Sequence, residues 1–578
     1  MWESLSTVRK YLWRYRWGMA LGTLCLILKD VAQAVQPLMI GDAVDAFRGE
    51  GASAFVRFAL YLVGLAVVKG VFQFWMRVII IGISRDIEYD LRNDLLRHLI
   101  TLSSDYYGRT RTGDIMARAT NDLNAVRMML GPGVMYWTET SLTFVLAIAI
   151  MASTDWRLTI FAILPAPLVS LAVVFFGRII HERFERIQAM FSDISSRVQE
   201  NLAGVRMVRA FVQERAEMRR FAELNRQYIA QNVKLIRIQG VFQPLLEALI
   251  GATFLMVLWV GGYQVIQGRI TIGRFVMFNT YMGMLIWPMI ALGWVVNLMQ
   301  RGSASLGRIN QILQEKPTIC APEHPVRLTA VRGEIGFRDV SMDYGSVLAL
   351  DGIDLSIAAG ETIAVVGHTG SGKSTLVSLV PRLMDPTAGS VELDGVDLQL
   401  LDPSELRRHI GFVPQETFLF SATIAENIAF GVESATDEQI HRAAELAGLA
   451  GDLEEFPLKY QTMVGERGIT LSGGQKQRTA IARALLRDPR ILILDDALSS
   501  VDTMTEERIL SHLAGVMRGR TVILISHRVS TVRQADRIIV LERGRIVEQG
   551  THTELIANGG YYAALSRKQM LEEELEAI

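Results

Sequence analysis

Eight consecutive residues combine glycine, lysine and serine in a spacing that can hold phosphate. The apolar run 362–366 leads directly into Gly367-His368-Thr369-Gly370-Ser371-Gly372-Lys373-Ser374, and a helix-like stretch follows. The glycines let backbone N–H groups close around phosphate oxygens at the positive end of a helix dipole. Lys373 can neutralise the β- and γ-phosphates, and the Ser374 hydroxyl can ligate Mg²⁺. The pattern predicts a P-loop nucleotide site, because a chance Gly-Lys-Ser string rarely follows an apolar strand.

A second apolar run ends in two carboxylates. Residues 491–494 are all isoleucine or leucine, and Asp495 and Asp496 follow them. An apolar run before an aspartate is common in α/β proteins and is weak evidence by itself. In a chain that also has a P-loop, it predicts that Asp495 is the Walker B acid on the Mg²⁺ side of the nucleotide.

The elements that precede these residues are membrane-spanning in character. A spanning helix needs about 20 mostly apolar residues. Six segments of the 578-residue chain meet this requirement, namely 18–40, 55–83, 132–153, 158–180, 241–267 and 272–300. Their surplus length continues as charged helix over 85–101 and 181–237, which we expect to project into the cytosol.

These patterns together predict a multidomain membrane protein. An all-α six-helix transmembrane domain covers 1–315, a proline-containing linker covers 316–333, and a P-loop α/β nucleotide-binding domain covers 334–578. The net charge of −1 provides no overall field that would attract nucleic acid. The two cysteines, Cys25 and Cys320, are far apart and suggest neither a metal site nor a disulfide framework.

Basic residues set the expected orientation. Arg and Lys cluster within 9–16, before the first span, and arginines follow the second span within 85–97. This distribution predicts that the N-terminus, the long connections and the C-terminal domain are cytoplasmic. No signal-peptide cleavage site follows a short apolar core. Residues 5–15 have an amphipathic pattern, which suits either an interfacial helix or a frayed lead-in to the first span.

Several polar side chains lie within the predicted spans. They are Lys29, Asp30, Gln33, Lys69, Gln73, Arg77, Glu139, Glu247 and Asn279. Such residues are costly in a bilayer and usually face a cavity or a partner. Two interpretations remain open, a substrate-lined chamber or pairing between helices. Glu139 and Glu247 are the better cavity candidates.

An ordered set of further motifs gives the chain a close resemblance to the ABC transporter family, over nearly its whole length. The motifs are Gln415 in Val413-Pro414-Gln415 (Q-loop), Leu471-Ser472-Gly473-Gly474-Gln475 (signature), Ser499-Ser500-Val501-Asp502 (D-loop) and His527 in Ile525-Ser526-His527-Arg528 (switch histidine). Tyr344 lies where the family has an aromatic residue that stacks on adenine. Residues 464–468, just before the signature, resemble the exporters of the family.

The resemblance implies a role for each of these residues. ATP would be bound by Tyr344, the P-loop through Thr375, the signature and Asp502. Mg²⁺ would be bound by Ser374, Gln415 and Asp495, and hydrolysis would depend on Asp496, His527 and Gln415. In this family a signature motif caps the nucleotide on a partner's P-loop, so dimerisation is implied. Six spans ahead of the nucleotide-binding domain favour export over import.

One position departs from the family pattern. The residue after the Walker B aspartate is normally glutamate, whereas this chain has Asp496, which is shorter by one methylene group or about 1.5 Å. A displacement of that size can cost about a hundredfold in rate. The chain therefore resembles one half of a heterodimer with a slow site of its own, and the alternative is a homodimer that tolerates aspartate.

The resemblance also sets the expected activity and its rivals. It implies ATP-driven export of a hydrophobic or amphipathic small molecule across the plasma (inner) membrane. A homodimeric lipid flippase is one alternative, and an ATP-gated channel or regulatory subunit that moves no cargo is another. The soluble ABC ATPases of DNA repair are excluded by the six predicted spans.

Overall fold

The computed structural model describes residues 2–50, 52–328, 330–345, 347–465, 468, 471–499 and 503–576. The chain divides into two compact units. The first unit comprises Met1–Ile100 and Arg111–Glu315, and the second comprises Thr101–Thr110 and Lys316–Ile578. The predicted boundaries 1–315, 316–333 and 334–578 stay a prediction.

The described part of the chain up to residue 315 is helical. Its helices are α1 Trp2–Arg14, α2 Arg16–Glu50, α3 Ala52–Thr101, α4 Ser104–Arg109, α5 Thr112–Ala117, α6 Leu123–Met128, α7 Val134–Thr154, α8 Trp156–Ile163, α9 Ala166–Ala203, α10 Val205–Ala210, α11 Glu214–Ile266 and α12 Ile272–Gln314. Two π-helical turns, Arg118–Asp122 and Met129–Gly133, join α5, α6 and α7 into one continuous rod. Helix α4 belongs to the second unit, where the Ser104 hydroxyl donates to the Leu383 carbonyl at 3.0 Å.

Within the described part of the chain, six helical segments are long and apolar enough to cross a membrane. They are Arg16–Phe47, Val56–Thr101, Thr112–Thr154, Trp156–Ala203, Glu214–Ile266 and Ile272–Gln314. Each of them contains one of the six predicted spans, so this part of the sequence prediction is confirmed. Their apolar side chains are not all covered by protein. On α3, seven large apolar residues spaced three or four apart are exposed, namely Val56, Leu60, Val63, Val67, Val71, Phe74 and Val78. Such a stripe suits contact with lipid chains.

Buried charges within the membrane helices are paired. Lys29 on α2 is 1% exposed, and its Nζ lies 2.5 Å from Oε1 of Glu139 on α7 and 2.6 Å from Oδ1 of Asp30. The interhelical-pairing interpretation therefore describes these three residues. Glu247 accepts a hydrogen bond from Gln243, one turn earlier on α11, at 3.2 Å.

A second polar cluster joins the third and sixth helical segments. Asp122, at the end of the first π-helical turn, is buried and accepts from Ser305 Oγ at 2.9 Å and from Arg308 Nε at 2.8 Å. Both partners lie on α12. Since the buried carboxylate has a charged and a neutral donor, its desolvation is offset by hydrogen bonds.

The described residues of the second unit form ten strands. They are β1 Ile335–Asp343, β2 Leu348–Ile357, β3 Thr362–Val366, β4 Ala388–Leu393, β5 Val396–Asp397, β6 Ile410–Val413, β7 Ile491–Asp495, β8 Thr521–Ile525, β9 Arg537–Glu542 and β10 Arg545–Gly550. A four-stranded antiparallel sheet has the order β2-β1-β4-β5. A six-stranded sheet has the order β10-β9-β3-β8-β7-β6, and it is parallel except at β10.

Helices surround these sheets. They are α13 Lys373–Leu379, α14 Pro403–Arg408, α15 Ile424–Ala429, α16 Asp437–Leu446, α17 Ala450–Glu455, α18 Gly473–Leu486, α19 Thr503–Met517, α20 Val529–Val532, α21 His552–Asn558 and α22 Tyr561–Glu576. One apolar core lies between the two sheets, and another joins α15, α16 and α18 to β7 and β8. The central strands are buried along their whole length, which explains their unbroken runs of isoleucine, leucine and valine.

Candidate functional site

The site lies at the carboxyl ends of four adjacent parallel strands. Strand β3 ends at the P-loop, β6 precedes Gln415, β7 ends at Asp495, and β8 precedes His527. Because the carboxyl ends of parallel strands share one edge of a sheet, these loops meet there. A cavity of about 210 Å³ at this edge is lined by Val347, Ala349, Thr369, Gly370, Gly372, Lys373, Ser374, Thr375, Gln415, Asp495, Asp496, Ile525 and His527.

The P-loop backbone requires glycine at Gly372. Its φ of 102° lies in the left-handed region that residues with a Cβ rarely adopt. A Cβ there would also lie 2.4 Å from the carbonyl oxygen of Ala349. The glycine therefore allows the loop to turn tightly into α13 while it packs against β2.

The side chain of Lys373 is held inside the P-loop by two backbone carbonyls of that loop. The residue is 7% exposed, and its Nζ donates to the carbonyl oxygens of Gly367 at 2.9 Å and His368 at 2.8 Å. Burial lowers the pKa of the Lys373 ammonium, while the carboxylates of Asp495 and Asp496 act in the opposite direction. The arrangement holds a cation at the wall of the cavity, where it can meet phosphate oxygens.

Asp495 has the surroundings expected of a metal ligand. It is 4% exposed, and its Oδ1 has no hydrogen-bond partner among the described residues. Burial raises the pKa of Asp495, and the neighbouring Ser374 hydroxyl and Lys373 ammonium lower it. Gln415 lines the same cavity. A carboxylate, a hydroxyl and an amide oxygen form a donor set that suits Mg²⁺, which keeps several waters and binds through one or two carboxylates and phosphates.

Asp496 lies beside Asp495 on a turn with unusual backbone geometry. Its φ is 49°, a left-handed conformation that aspartate tolerates better than most residues. Its N–H donates to the Ile525 carbonyl at 3.0 Å, and its carbonyl accepts from Ser499 Oγ at 2.9 Å. The backbone is thus fixed on both sides, and the side chain faces the cavity.

Three further P-loop residues do not line the cavity. Gly367 and His368 supply the carbonyls that hold Lys373 and do not line the cavity. Ser371 is buried, and its Oγ has no hydrogen-bond partner among the described residues. Its N–H donates to the His368 carbonyl at 3.1 Å, which closes the loop.

Tyr344 is the one adenine-side residue that the sequence predicts. It is half-exposed, and its hydroxyl contacts Met384 Sδ at 3.2 Å. It does not line the cavity, but its N–H donates to the carbonyl of Val347, which does. Val347 and Ala349 were missed by sequence reasoning because no spacing distinguishes them from other residues of a β-hairpin.

The signature residues form the start of a separate helix. Ser472 caps α18 by accepting from the Gln475 N–H at 3.2 Å, and Gln475 Oε1 accepts from the Ser472 N–H at 3.0 Å. Ser472 and Gly473 are exposed. None of the five signature residues, 471–475, is among the residues that line the cavity. Asp502 and its neighbours Ser500 and Val501 lie outside the described residues.

Comparisons with known proteins agree with this geometry. Residues 19–289 match the family described as ABC transporter transmembrane region, and residues 350–499 match the family described as ABC transporter.

Similar whole chains include several transport proteins. The chain is 39% identical to the probable multidrug resistance ABC transporter ATP-binding/permease protein YheI of Bacillus subtilis, over 98% of each chain. It is 38% identical to the multidrug resistance-like ATP-binding protein MdlA of Escherichia coli, over 98% of this chain and 97% of that one. An ATP-dependent lipid A-core flippase of Syntrophus aciditrophicus is 35% identical, over 96% and 93%.

A solved structure extends the likeness to three dimensions. The ATP-bound structure of a bacterial Atm1-family ABC exporter matches 96% of this chain and 98% of its own, with a TM-score of 0.80 and 29% identity. The predicted fold class, six apolar helices followed by an α/β nucleotide-binding domain, is therefore confirmed. With both regions of the family in one polypeptide, the chain belongs to the ABC transporter family as an exporter-type half transporter.

Proposed function

We propose that this chain exports a hydrophobic or amphipathic small molecule, with ATP bound in the cavity at the edge of the parallel sheet. The observation that carries the proposal is the convergence of Lys373, Ser374, Asp495, Asp496 and His527 on that cavity, in a chain with six membrane-length helices. ATPase-coupled transport follows from family membership, and the residue roles below are proposals.

Each cavity residue has a role that its chemistry supports. Lys373 exchanges its two carbonyl contacts for phosphate oxygens and neutralises their charge. Ser374, Gln415 and Asp495 would hold Mg²⁺, which would supply positive charge beside the phosphates. Asp496 accepts a hydrogen bond from the attacking water, and His527 contacts the terminal phosphate.

A second copy of the nucleotide-binding domain completes the site. The signature lies outside the cavity of its own chain, and its capped helix start is exposed. A helix start of this kind binds phosphate well. The family resemblance assigns it to the nucleotide on a partner's P-loop.

Exposed apolar residues of the first unit also support a partner. On the connection between α9 and α11, Met207, Phe211 and Val212 are all more than half exposed. The family resemblance places this connection in the cytosol, where an uncovered apolar patch suits contact with another protein.

We further propose that the partner is a different half transporter. The side chain of Asp496 is shorter than glutamate by about 1.5 Å, so it holds the attacking water less well. Hydrolysis at this chain's P-loop is then slow, and the partner supplies a glutamate at the site that uses the signature of this chain. A homodimer with two slow sites is the alternative.

The helices of the first unit offer space for an apolar cargo. A cavity of about 500 Å³ is lined by Thr140, Ser141, Phe144, Val145, Ile163, Pro167, Ser170, Pro288 and Met289. Its mixed lining suits an amphipathic molecule. Lipid export is the second candidate function, and the relative named lipid A-core flippase favours it. We place the protein in the plasma (inner) membrane, with its N-terminus in the cytoplasm.

Purification of two differently tagged copies tests the assembly. If the chain forms a heterodimer, the two tags do not purify together, and the purified chain has little ATPase activity. Activity should appear when the half transporter of a neighbouring reading frame is co-expressed. Co-purifying tags with robust, cooperative ATPase would instead support the homodimer.

A further inference from the structure

The C-terminal helix α22 packs directly behind the nucleotide site. Tyr562, near its start, is fully buried among apolar residues that include Val366 at the end of β3 and Val532 on α20. The Tyr562 hydroxyl also contacts His552 Nδ1 at 2.8 Å. Glu548 accepts from the backbone N–H of Tyr561 at 2.5 Å and so satisfies one of the free donors at the helix start. The helix is therefore anchored to β3, which ends at the P-loop, to β10 and to α20, which follows His527.

One face of α22 points at residues 526–528, the loop between β8 and α20 that contains His527 and is called the switch loop below. Tyr562, Ser566 and Gln569 are spaced four and three residues apart, which places them on one side of the helix. The first two are buried. The amide group of Gln569 reaches His527 and Val529, which lie on either side of Arg528.

The Gln569 amide makes two complementary hydrogen bonds. Its Nε2 donates to the His527 carbonyl at 2.5 Å, and its Oε1 accepts from the Val529 N–H at 2.7 Å. A primary amide has one donor end and one acceptor end, so a single orientation satisfies both contacts. Val529 is the first residue of α20, whose N–H has no partner within that helix.

The other side of the switch loop is fixed by a buried carboxylate. Glu506 on α19 is 1% exposed and accepts hydrogen bonds from Arg528 and Thr531. His527 thus has its backbone held from α22 and the following residue held from α19. Its imidazole is exposed and lines the cavity.

We propose that Gln569 is a positioning residue that fixes the switch loop so that His527 faces the nucleotide cavity. This inference rests on the proposed function, because the position of His527 matters for hydrolysis only if the cavity binds ATP. Gln569 itself does not line the cavity. The C-terminal helix then determines whether His527 can reach the terminal phosphate.

Chemical labelling of His527 tests this role. The full-length transporter is treated with diethyl pyrocarbonate with and without Mg-ATP, and the modified peptides are quantified by mass spectrometry. The exposed residues His441 and His512 serve as internal references. Gln569→Met keeps the side-chain length and removes both hydrogen bonds. We expect the labelling of His527 relative to the references to change by about fivefold or more, because each lost bond is worth about that factor.

Two further variants separate positioning from misfolding. Val529→Pro deletes one bond without altering α22, and proline is well tolerated at the first position of a helix. The extended conformation of Arg528, with φ −102° and ψ 129°, is also compatible with a following proline. Val529→Pro should shift His527 labelling in the same direction as Gln569→Met, by a smaller factor. Met570→Gln, on the exposed neighbouring position, should leave the labelling at the wild-type value.

The outcomes distinguish this inference from the proposed function. If His527 labels equally in wild type, Gln569→Met and Val529→Pro, the positioning role is wrong. If Mg-ATP fails to protect His527 in the wild type, the proposed nucleotide site is wrong. A change in labelling without Mg-ATP in the Gln569 variant would still support the positioning role in that case.

Discussion

Lys373 shows how a single residue can be both buried and ready to bind. Its ammonium is held by two carbonyls, and a buried charge with such partners is far less costly than an unpaired one. Phosphate oxygens are stronger acceptors for a cation than neutral carbonyls. In the proposed site, binding of a triphosphate would therefore exchange the weaker contacts of Lys373 for stronger ones.

Replacement of Lys373 tests the phosphate-binding role. Lys373→Ala should reduce photolabelling by an azido-ATP analogue to near background, because the cation in the loop is lost. Lys459→Ala, which removes an exposed surface lysine paired with Glu454, is the matched control and should label normally. Wild-type labelling of Lys373→Ala would show that the P-loop assignment is wrong.

Under the slow-site proposal, Asp496 limits the rate of hydrolysis at this chain's P-loop. Asp496→Glu should return the carboxylate to the reach of the attacking water, so total ATPase of the assembled heterodimer should rise, unless the partner's signature is also degenerate, in which case it should barely change. In a homodimer the substitution repairs both sites, and turnover should rise severalfold or more. The φ of 49° at this position imposes a strain of about 1 kcal/mol on glutamate, so the thermal stability of the variant must be measured alongside. Asp496→Asn, which cannot accept a proton, is the control.

Unchanged turnover in Asp496→Glu would mean that the short carboxylate is not the main limit at this site. Expression of the chain without its partner sharpens the comparison. A robust and cooperative ATPase from the chain by itself, with no response to Asp496→Glu, would contradict the slow-site proposal.

Sequence reasoning found the residues that carry a local pattern. Gly367–Ser374, Asp495 and His527 each lie at or just after the end of a strand in a recognisable motif. The structure brings Lys373, Asp495 and His527 to one cavity. Val347 and Gln569 carry no such pattern. Gln569 meets His527 across 42 positions of sequence, and only the packing of α22 brings them together.

At the scale of elements, apolar runs predicted the spans, and a charged run predicted how one of them continues as helix. The predicted span 55–83 and its charged continuation over 85–101 lie in one helix that runs from Ala52 to Thr101. The π-helical turns at Arg118–Asp122 and Met129–Gly133 were not predicted. Both turns contact α12, and such a contact between distant segments cannot be read from local sequence.

The contact between the third and sixth helical segments should contribute measurably to stability. Asp122→Ala leaves Arg308 and Ser305 without their carboxylate, a loss of about 1–3 kcal/mol for a partly buried charged group. The detergent-solubilised variant should lose its monodisperse state at a lower temperature than the wild type.

A surface pair provides the control for Asp122. Glu182→Ala breaks an ion pair with Arg186 in which both side chains are more than half exposed, and such pairs contribute little. Equal thermal shifts for Asp122→Ala and Glu182→Ala would show that the buried carboxylate has no special structural role.

At the scale of the whole molecule, the chain has the features of half an assembly. Its signature is complete but lies outside its own nucleotide cavity, and apolar residues near Phe211 are uncovered. The first feature was predicted from the family resemblance rather than from composition. This arrangement supports the proposal that two chains are needed to complete one nucleotide site.

The most direct test of ATP-driven export is to measure how an amphipathic fluorescent dye accumulates in inside-out membrane vesicles that contain the assembled transporter. With Mg-ATP, the account predicts that the dye rises inside the vesicles above its external concentration, and that Lys373→Ala in this chain abolishes the rise. A dye that only equilibrates across the membrane, or that accumulates equally without ATP, would contradict ATP-driven export and favour an ATP-gated channel or a regulatory subunit.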